Sequence, residues 1–494
     1  MAETVTAIVP PSAQGQVQQR WGQSWLIGPD AESFWSQFQH YQAQLQTQGQ
    51  GPYPQDVMLS EPHPIRFLAA LLAACQQPCR LWLASPQWGL REWQQAAAQC
   101  QPDLLLGTVP FALFDEQAHG QRDFPRFSSP IRGNETQILI PTGGSSGHLR
   151  FAAHTWATLA ASVQGFQQHF HCPTVNAYCV LPLFHVSGLM QALRCWLSGG
   201  RLIVQSFQSL LREGAISMPS DPWFLSLVPT QLHRLLNRDR DCIPWLQQFT
   251  AILLGGAPLW SSLRCTALDH QLPLAPTYGM TETAAQVATL LPSEFLAGNH
   301  SSGRALPHSR ITIRDAAGHC LPAQETGFIA IEATSLAQGY GQEVLTVPFQ
   351  TGDIGYLDAA GYLQVLGRQK TLIITGGEKV LPEEVEAAIL ATGTVQDVAV
   401  LGIRDDDWGE TVVAVVVPEV AIESGNRLRH ALKTALSPYK IPKHWLTCPA
   451  LPRNSQGKLN RMDLRQWVMQ QLSSPDCPTA ATAVGRQSGG SVVG

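Results

Sequence analysis

The chain has 494 residues, an apolar fraction of 44% and a formal net charge of −5. That length exceeds one ordinary hydrophobic core, so two or more domains are expected. The mildly acidic balance, with no long basic run, argues against nucleic-acid binding through phosphate neutralisation.

The eleven cysteines include no CxxC pair. Cys75 with Cys79, and His169 and His171 with Cys172, are the close groupings, and neither has a second ligand pair at zinc spacing. No metal centre is expected from them; buried free thiols in a reducing compartment are. The first residues lack the basic and apolar regions of a signal peptide. Apolar runs such as FLAALLAAC at 67–75 fall short of the roughly 20 residues that cross a bilayer. A cytoplasmic protein without a membrane span is therefore expected.

In chain order, the Gln-rich first fifty residues place Phe34, Phe38, Tyr41 and Leu45 at helical spacing, which predicts an amphipathic helix on a core. Helical segments mixed with short apolar strands follow over 66–107. From Thr136 the pattern alternates. TQILI predicts a buried strand, a Gly/Ser loop follows, and Trp156, Leu159, Val163, Phe166 and Phe170 mark one helix face. AYCVLPL and FTAILLGG repeat the strand-to-turn pattern. Such alternation predicts α/β layers with ligands gathered at the carboxyl ends of the strands.

Past TGDIGYLDAAGYLQVLGR (351–368) the texture changes. KTLIITGGEKV predicts a strand and Gly turn, and LPEEVEAAIL a helix with Pro382, Glu383 and Glu384 in its first turn. VQDVAVLGI and TVVAVVVPEV predict strands. These make a compact α+β unit of about a hundred residues, beginning near Arg368–Lys370. The small, polar last residues predict a disordered tail.

Several stretches carry chemistry. ILIPTGGSSGHLRF (138–151) leads strand formers into a loop whose backbone N–H groups can hold anionic oxygens. The hydroxyls of Thr142, Ser145 and Ser146 add donors; a surface turn is the alternative. It is not a Walker loop, because His148 stands where GxxxxGK[ST] needs lysine. PTYGMTETAAQV (276–287) offers a ring for a base in Tyr278, a hydroxyl for a phosphate in Thr281 and a carboxylate for a divalent ion in Glu282. A helix start explains the same residues. Asp353 suits two ribose hydroxyls, although turn aspartates are common. Lys458, in LPRNSQGKLNR (451–461), alone reads as a solvated lysine.

The Gly/Ser loop, PLFHVSGL, LLGGAPL, TYGMTE, TGDIGYLDAAGYLQVLGR, IITGGEKVLPEEVEAAI and NSQGKLNR occur in this order between about 136 and 461. With them the chain resembles the acyl-adenylate-forming superfamily of acyl-CoA synthetases, luciferases and peptide-synthetase adenylation domains. The first 130 residues match less clearly.

The resemblance implies an α/β fold: a large layered α/β N-terminal domain (1–367), then a small mobile α+β C-terminal domain (368–472), with 473–494 as tail. It implies an AMP-forming acyl-CoA synthetase, an acid–thiol ligase that works through an acyl-adenylate with ATP, Mg²⁺ and CoA. By similarity Thr142, Gly143, Gly144, Ser145, Ser146, Gly147 and Arg150 would hold the phosphates. Gly255, Gly256, Ala257, Pro258, Tyr278 and Gly279 would line the adenine. Thr281 would meet the α-phosphate, Glu282 the Mg²⁺, and Asp353 with Arg368 the ribose. Lys458 would be the catalytic cation of adenylation and Lys370 the hinge. Gly376 and Gly377 would border the CoA path, and His185, Ser187, Gly188 and Arg194 the acyl pocket and its gate. The family loop usually continues Pro-Lys-Gly, where this chain has Leu149, Arg150 and Phe151; Arg150 keeps a permanent planar cation. The hinge holds lysine rather than aspartate.

PTGGSSG…RFAAHTW and PLFHVSGL look most like the o-succinylbenzoate–CoA ligase branch, particularly its cyanobacterial kind. That implies activation of a succinyl side-chain carboxylate in phylloquinone or menaquinone biosynthesis. The acid is a dianion, and Arg194 is the candidate for its second carboxylate. Another aryl or medium-chain acid, and the loading of a separate carrier protein, stay open, as does an oligomer. Glu282, Asp353 and Lys458 together argue against a non-catalytic nucleotide binder.

Overall fold

The computed structural model describes residues 12–47, 55–110, 113–114, 136–143, 149–238, 242–341, 343–405, 407–418, 425–433, 435–453 and 459–473. The chain forms two compact units, a large one reaching Gln369 and a small one beginning at Lys370.

Three sheets build the large unit. The first has eight strands in the order Leu26–Ile27, Leu202–Val204, Asn176–Cys179, Trp223–Leu227, Ala251–Leu254, Leu274–Met280, Ala285–Thr289 and Arg304–Ala305. Its strands are parallel as far as Leu274–Met280, then antiparallel. The second sheet has seven strands: Glu343–Val344, Gly339–Tyr340, Leu149–Thr155, Gln137–Gly143, Cys79–Leu83, Gln55–Ser60 and Leu104–Gly107. The third is an antiparallel meander of Ser309–Arg314, Gly327–Ala333, Phe349–Leu357 and Leu363–Arg368. This is the layered α/β architecture expected.

Helices cover the sheets as the periodicity requires. Phe34, Phe38, Tyr41 and Leu45 all face inward from the Phe34–Thr47 helix, each at most 7% exposed. Burying a side chain of this kind contributes about 1.5–3 kcal/mol relative to leaving it in water. Pro64 opens the Pro64–Ala74 helix at a position where its missing N–H costs nothing. The Val186–Ser198 helix has its last carbonyls satisfied from far away in sequence. Arg20 donates from Nη1 to the Cys195 and Trp196 carbonyls at 2.8 and 3.1 Å, and from Nη2 to Gly200 at 3.0 Å.

Some local expectations differ from the structure. RFAAHT, which the periodicity leaves unassigned, is part of the strand Leu149–Thr155, paired antiparallel with Gln137–Gly143. The Gly/Ser loop is therefore a hairpin loop, because both flanks find ladder partners in the same sheet. The Trp156–His169 helix is capped by Thr155, whose side chain accepts from the Thr158 N–H, and Phe170 lies just past its end. In AYCVLPL (177–183) only the first three residues are strand, the end of Asn176–Cys179. Not all thiols are buried either: Cys265 and Cys320 are exposed free thiols.

The small unit is an antiparallel β-ribbon, Val395–Asp405 against Gly409–Pro418. Onto it pack the hairpin Ile373–Thr375/Glu378–Val380, the strand His444–Thr447 and the helices Pro382–Leu390, Gly425–Leu432 and Arg461–Ser473. Its core is Val- and Ile-rich, including Ile373, Val385, Val400 and Val412. The expected tail lies outside the described residues beyond 473. Among the described residues, no helix is long and apolar enough to cross a membrane.

Candidate active site

The parallel strands of the eight-stranded sheet end along one edge, and the chemistry-bearing turns begin there. Asn176–Cys179 leads toward His185 and its helix. Ala251–Leu254 runs into Gly255, Gly256, Ala257 and Pro258, the last three exposed. Leu274–Met280 ends in Tyr278 and Gly279, followed by a single 3₁₀ turn, Thr281–Thr283. Carboxyl ends of parallel strands are where α/β sheets collect ligands, since the turns there diverge and leave a crevice.

The segment around Thr281 is held from several sides. His154 Nε2 meets the Thr281 carbonyl at 2.8 Å and its Nδ1 the Thr158 hydroxyl at 3.1 Å. Burial holds His154 down to about 4, so it sits there as a neutral imidazole that donates from Nε2. The Ala337 N–H donates to the Glu282 carbonyl at 2.8 Å, Ser335 Oγ to Thr283 at 2.9 Å and Ser162 Oγ to Ala284 at 2.7 Å. These bonds sustain consecutive left-handed residues, Ala284 at φ 52° and Ala285 at φ 78°. Such backbone strain outside glycine persists only where the surroundings over-determine it. Gly279 lies against the same bend: a Cβ there would sit 2.1 Å from the Ala285 carbonyl oxygen.

Tyr278, Asp353 and Arg368 come together. The Tyr278 hydroxyl donates to Asp353 Oδ2 and Arg368 Nε to Oδ1, each at 2.7 Å. Asp353 is 4% exposed, on the central strand of the meander, directly opposite Arg368 in the ladder. Burial, reinforced by the carboxylate, drives the Tyr278 phenol far above its ordinary range, so it stays a donor. Burial alone would lower the Arg368 guanidinium, but Asp353 outweighs it and the net shift is upward.

Thr142 stands opposite Arg150, one pair from the loop end of the Gln137–Gly143/Leu149–Thr155 hairpin. Gly144, Ser145, Ser146 and Gly147 lie outside the described residues; Gly143 ends the strand. Arg150 stacks its guanidinium 3.6 Å from the centre of the Tyr340 ring and pairs with Glu343. The Tyr340 hydroxyl donates to Glu282 Oε1. That carboxylate is 8% exposed. No group of three or more His, Cys, Asp or Glu side chains that could hold a metal exists among the described residues. Glu282 nonetheless suits Mg²⁺, which is held by one or two carboxylates together with water and substrate phosphates.

The helix Val186–Ser198 carries the acyl-pocket candidates. His185 stands at its N-cap with its ring 4.5 Å from that of Phe184, Ser187 is half-buried, and Gly188 is buried. Arg194 is 3% exposed and has no ion-pair partner among the described residues. It donates from Nη2 to Gln286 Oε1 and lies 4.3 Å from the Phe166 ring centre. Its Nε, Gln286 Nε2 and both ring nitrogens of His308 are buried without hydrogen-bond partners among the described residues. Burial pushes Arg194 down to about 10, and burial with the Arg194 charge pushes His308 down to about 4.

In the small unit, Lys370 is exposed within the 3₁₀ turn Gln369–Thr371. Gly376 and Gly377 form the tip of the hairpin at φ 58° and 83°. A Cβ on Gly376 would press 2.8 Å from the Trp408 ring, while the Gly376 N–H donates to the Trp408 carbonyl at 2.8 Å. Lys443 Nζ lies 3.6 Å from the centre of that half-exposed ring. Lys458 lies outside the described residues.

Tyr340, His154, Gln286, His308 and Trp408 escape a reading by motif. Tyr340 is 58 residues from Glu282 in the chain, and only tertiary contacts join them. The unusual density of buried polar groups around Arg194 has no sequence signal at all.

Comparison with known proteins agrees with this geometry. Residues 33–341 match the AMP-binding enzyme family and 384–458 the AMP-binding enzyme C-terminal domain. A 2-succinylbenzoate–CoA ligase of Bacillus pumilus is 32% identical over 383 residues, covering 74% of each chain. One from Listeria monocytogenes is 34% identical over 352 residues, 67% of this chain and 70% of the relative. The solved Bacillus subtilis o-succinylbenzoate CoA synthetase with its acyl-adenylate superposes at a TM-score of 0.77 and 24% identity, over 92% of this chain and 98% of that one. The amide bond synthetase McbA of Marinactinospora thermotolerans shares the fold at 0.75 and 23%, over 92% and 100%. The chain belongs to the AMP-binding enzyme family and is an adenylate-forming acid–CoA ligase.

Proposed function

We propose that this enzyme converts 2-succinylbenzoate, ATP and CoA to 2-succinylbenzoyl-CoA, AMP and pyrophosphate, as a step in phylloquinone or menaquinone biosynthesis. The carrying observation is Arg194: a buried guanidinium on the helix after PLFHVSGL, with no carboxylate partner among the described residues. An uncompensated buried charge is costly, so a site that keeps one is suited to an anionic ligand. 2-Succinylbenzoate has one carboxylate to activate and a second to be recognised, whereas a mono-acid leaves Arg194 unanswered. The names of the Bacillus and Listeria relatives support the same acid.

In the first half-reaction a carboxylate oxygen of the succinyl chain attacks the α-phosphorus, and the bond to pyrophosphate breaks. Asp353 with Arg368 holds the ribose hydroxyls, while Tyr278, Gly279 and the turn Gly255, Gly256, Ala257 and Pro258 line the base. Thr281 meets the α-phosphate; Thr142, Gly143 to Gly147 and Arg150 hold the departing phosphates. Mg²⁺, when bound at Glu282, supplies positive charge against the crowded phosphate oxygens. Lys458 bridges the attacking carboxylate and the phosphate.

In the second half-reaction the CoA thiol loses its proton to water and its sulfur attacks the acyl carbon. The bond from that carbon to the phosphate oxygen breaks, and AMP leaves with the electron pair. Lys458 must withdraw, and a backbone change at Lys370, where the small unit begins, moves that unit to admit the thiol past Gly376 and Gly377. His185, Ser187 and Gly188 border the acyl entrance. The whole cycle requires no membrane and suits the cytoplasm.

The test is an acid panel. Protein incubated with ATP, Mg²⁺ and CoA is expected to release AMP with 2-succinylbenzoate far faster than with benzoate or octanoate. AMP release only with a mono-acid would remove this substrate. Acyl transfer to a carrier protein in preference to CoA would replace the thiol acceptor.

A further inference from the structure

We infer that Tyr340 is a positioning residue for adenylation, joining the carboxylate suited to Mg²⁺ to the cation of the phosphate-loop hairpin. The inference rests on the adenylation reading above and adds a residue to it.

One side chain makes both connections. Its hydroxyl donates to Glu282 Oε1, and its ring face supports the Arg150 guanidinium at 3.6 Å. The backbone fixes where that ring can be. Tyr340 pairs with Ala152 in the strand that carries Arg150, and Gly339 pairs with Ala153. Just upstream, the Ala337 N–H holds the Glu282 carbonyl at 2.8 Å, and the Gln338 N–H holds the Ala153 carbonyl at 2.8 Å. Residues 337–340 therefore grip Glu282 by backbone and side chain while joining the edge of the seven-stranded sheet.

A carboxylate pinned through one oxygen keeps the other in a fixed direction. That is how an outer hydrogen-bond partner raises metal affinity. The second contact acts on the neighbouring charge. Arg150 is half-exposed and its partner Glu343 is more exposed still, at 67% of the side chain. Exposed ion pairs of this kind are weak, so phosphate oxygens can take the guanidinium from Glu343. The Tyr340 ring does not compete with phosphate for hydrogen bonds and goes on supporting the stacked cation. Metal and phosphate thus meet two groups whose mutual placement is set by one aromatic ring. The departure of this chain from a lysine-bearing loop matters here, because a planar guanidinium stacks on a ring far better than an ammonium.

Two variants separate the contacts: Tyr340→Phe removes the hydroxyl and keeps the ring, and Tyr340→Leu removes both. Calorimetry measures ATP binding with and without Mg²⁺, and electron paramagnetic resonance measures Mn²⁺ bound with ATP. For Tyr340→Phe, metal affinity in the presence of ATP is expected to fall about tenfold, with the Mg²⁺ requirement for AMP release rising in step. Its metal-free ATP affinity is expected to stay at the wild-type value. Tyr340→Leu is expected to weaken metal-free ATP binding as well. An unchanged metal response in Tyr340→Phe, with normal folding by thermal melt, overturns the inference. Equal loss of metal-free ATP binding in both variants overturns it too. Wild-type protein that binds no ATP would instead overturn the adenylation reading, so the two failures are distinct.

Discussion

Tyr278 and Asp353 lie 75 residues apart in the chain, yet the phenol donates to the carboxylate at 2.7 Å. Together with Arg368 on the other oxygen, this directs the remaining Asp353 lone pairs, which on the proposed reading take the ribose. A carboxylate can accept about four hydrogen bonds, so two ribose hydroxyls can bind without breaking the pair. Tyr278→Phe is expected to raise KM for ATP about tenfold, the equivalent of one hydrogen bond to a charged group, with kcat much less affected. Asp353→Ala is expected to raise it further. Steady-state kinetics in ATP check both; an unchanged KM in Tyr278→Phe would remove the preorganising role.

Arg194 gives the acid-specificity prediction. Arg194→Gln is expected to raise KM for 2-succinylbenzoate about 10- to 100-fold, the range of a lost charged hydrogen bond. Slow turnover of a mono-carboxylic aryl acid should be unaffected. The variant removes a desolvated charge with no ion-pair partner among the described residues, so no large fall in Tm is expected. Equal losses with both acids would count against recognition of a second carboxylate.

Acid stability follows from two buried histidines. Burial lowers His154 and His308 to about 4, whereas an exposed histidine titrates near about 6.5. Between those values the unfolded chain binds more protons than the folded one. Stability is therefore fully present above about pH 6.5 and is lost as pH falls toward about 4. Melting temperatures across that window should decline, and His308→Asn should flatten the decline. A pH-independent Tm would contradict the neutral, buried state of both rings.

On the proposed mechanism Lys458 acts in the first half-reaction and not in the second. Lys458→Ala is expected to reduce acyl-adenylate formation by at least about 100-fold, a typical contribution of one positioned charge. Thioester formation from supplied acyl-adenylate should continue at a similar rate. Parallel assays of pyrophosphate release and of CoA acylation distinguish this from equal loss of both steps, which would refute the assignment.

Gly279→Ala tests the bend after the Tyr278 strand. The added carbon would lie 2.1 Å from a backbone carbonyl that cannot swing aside. A destabilisation of more than about 3 kcal/mol is expected, measured by denaturant unfolding. A near-neutral result would show that the bend is softer than its bonding implies.

The sequence by itself determined the local elements and the order of the chemistry. Helical faces such as Phe34, Phe38, Tyr41 and Leu45 follow from a 3.6-residue period, which neighbours in the chain are enough to define. The same holds for Pro382 at the start of its helix and for the ordered motifs that place the chain in its family. RFAAHT was less legible, because apolar strand formers beside a glycine loop look alike whether the chain returns as a hairpin or enters a helix. Tertiary structure alone decided the pairings among distant residues. Sheet order brought Tyr340 beside the Arg150 strand, and the packing of one sheet against another brought Asp353 to Tyr278. Packing sealed Arg194 away from water among Phe166, Gln286 and His308. Those relationships depend on desolvation and on contacts across dozens of residues, which no local spacing encodes.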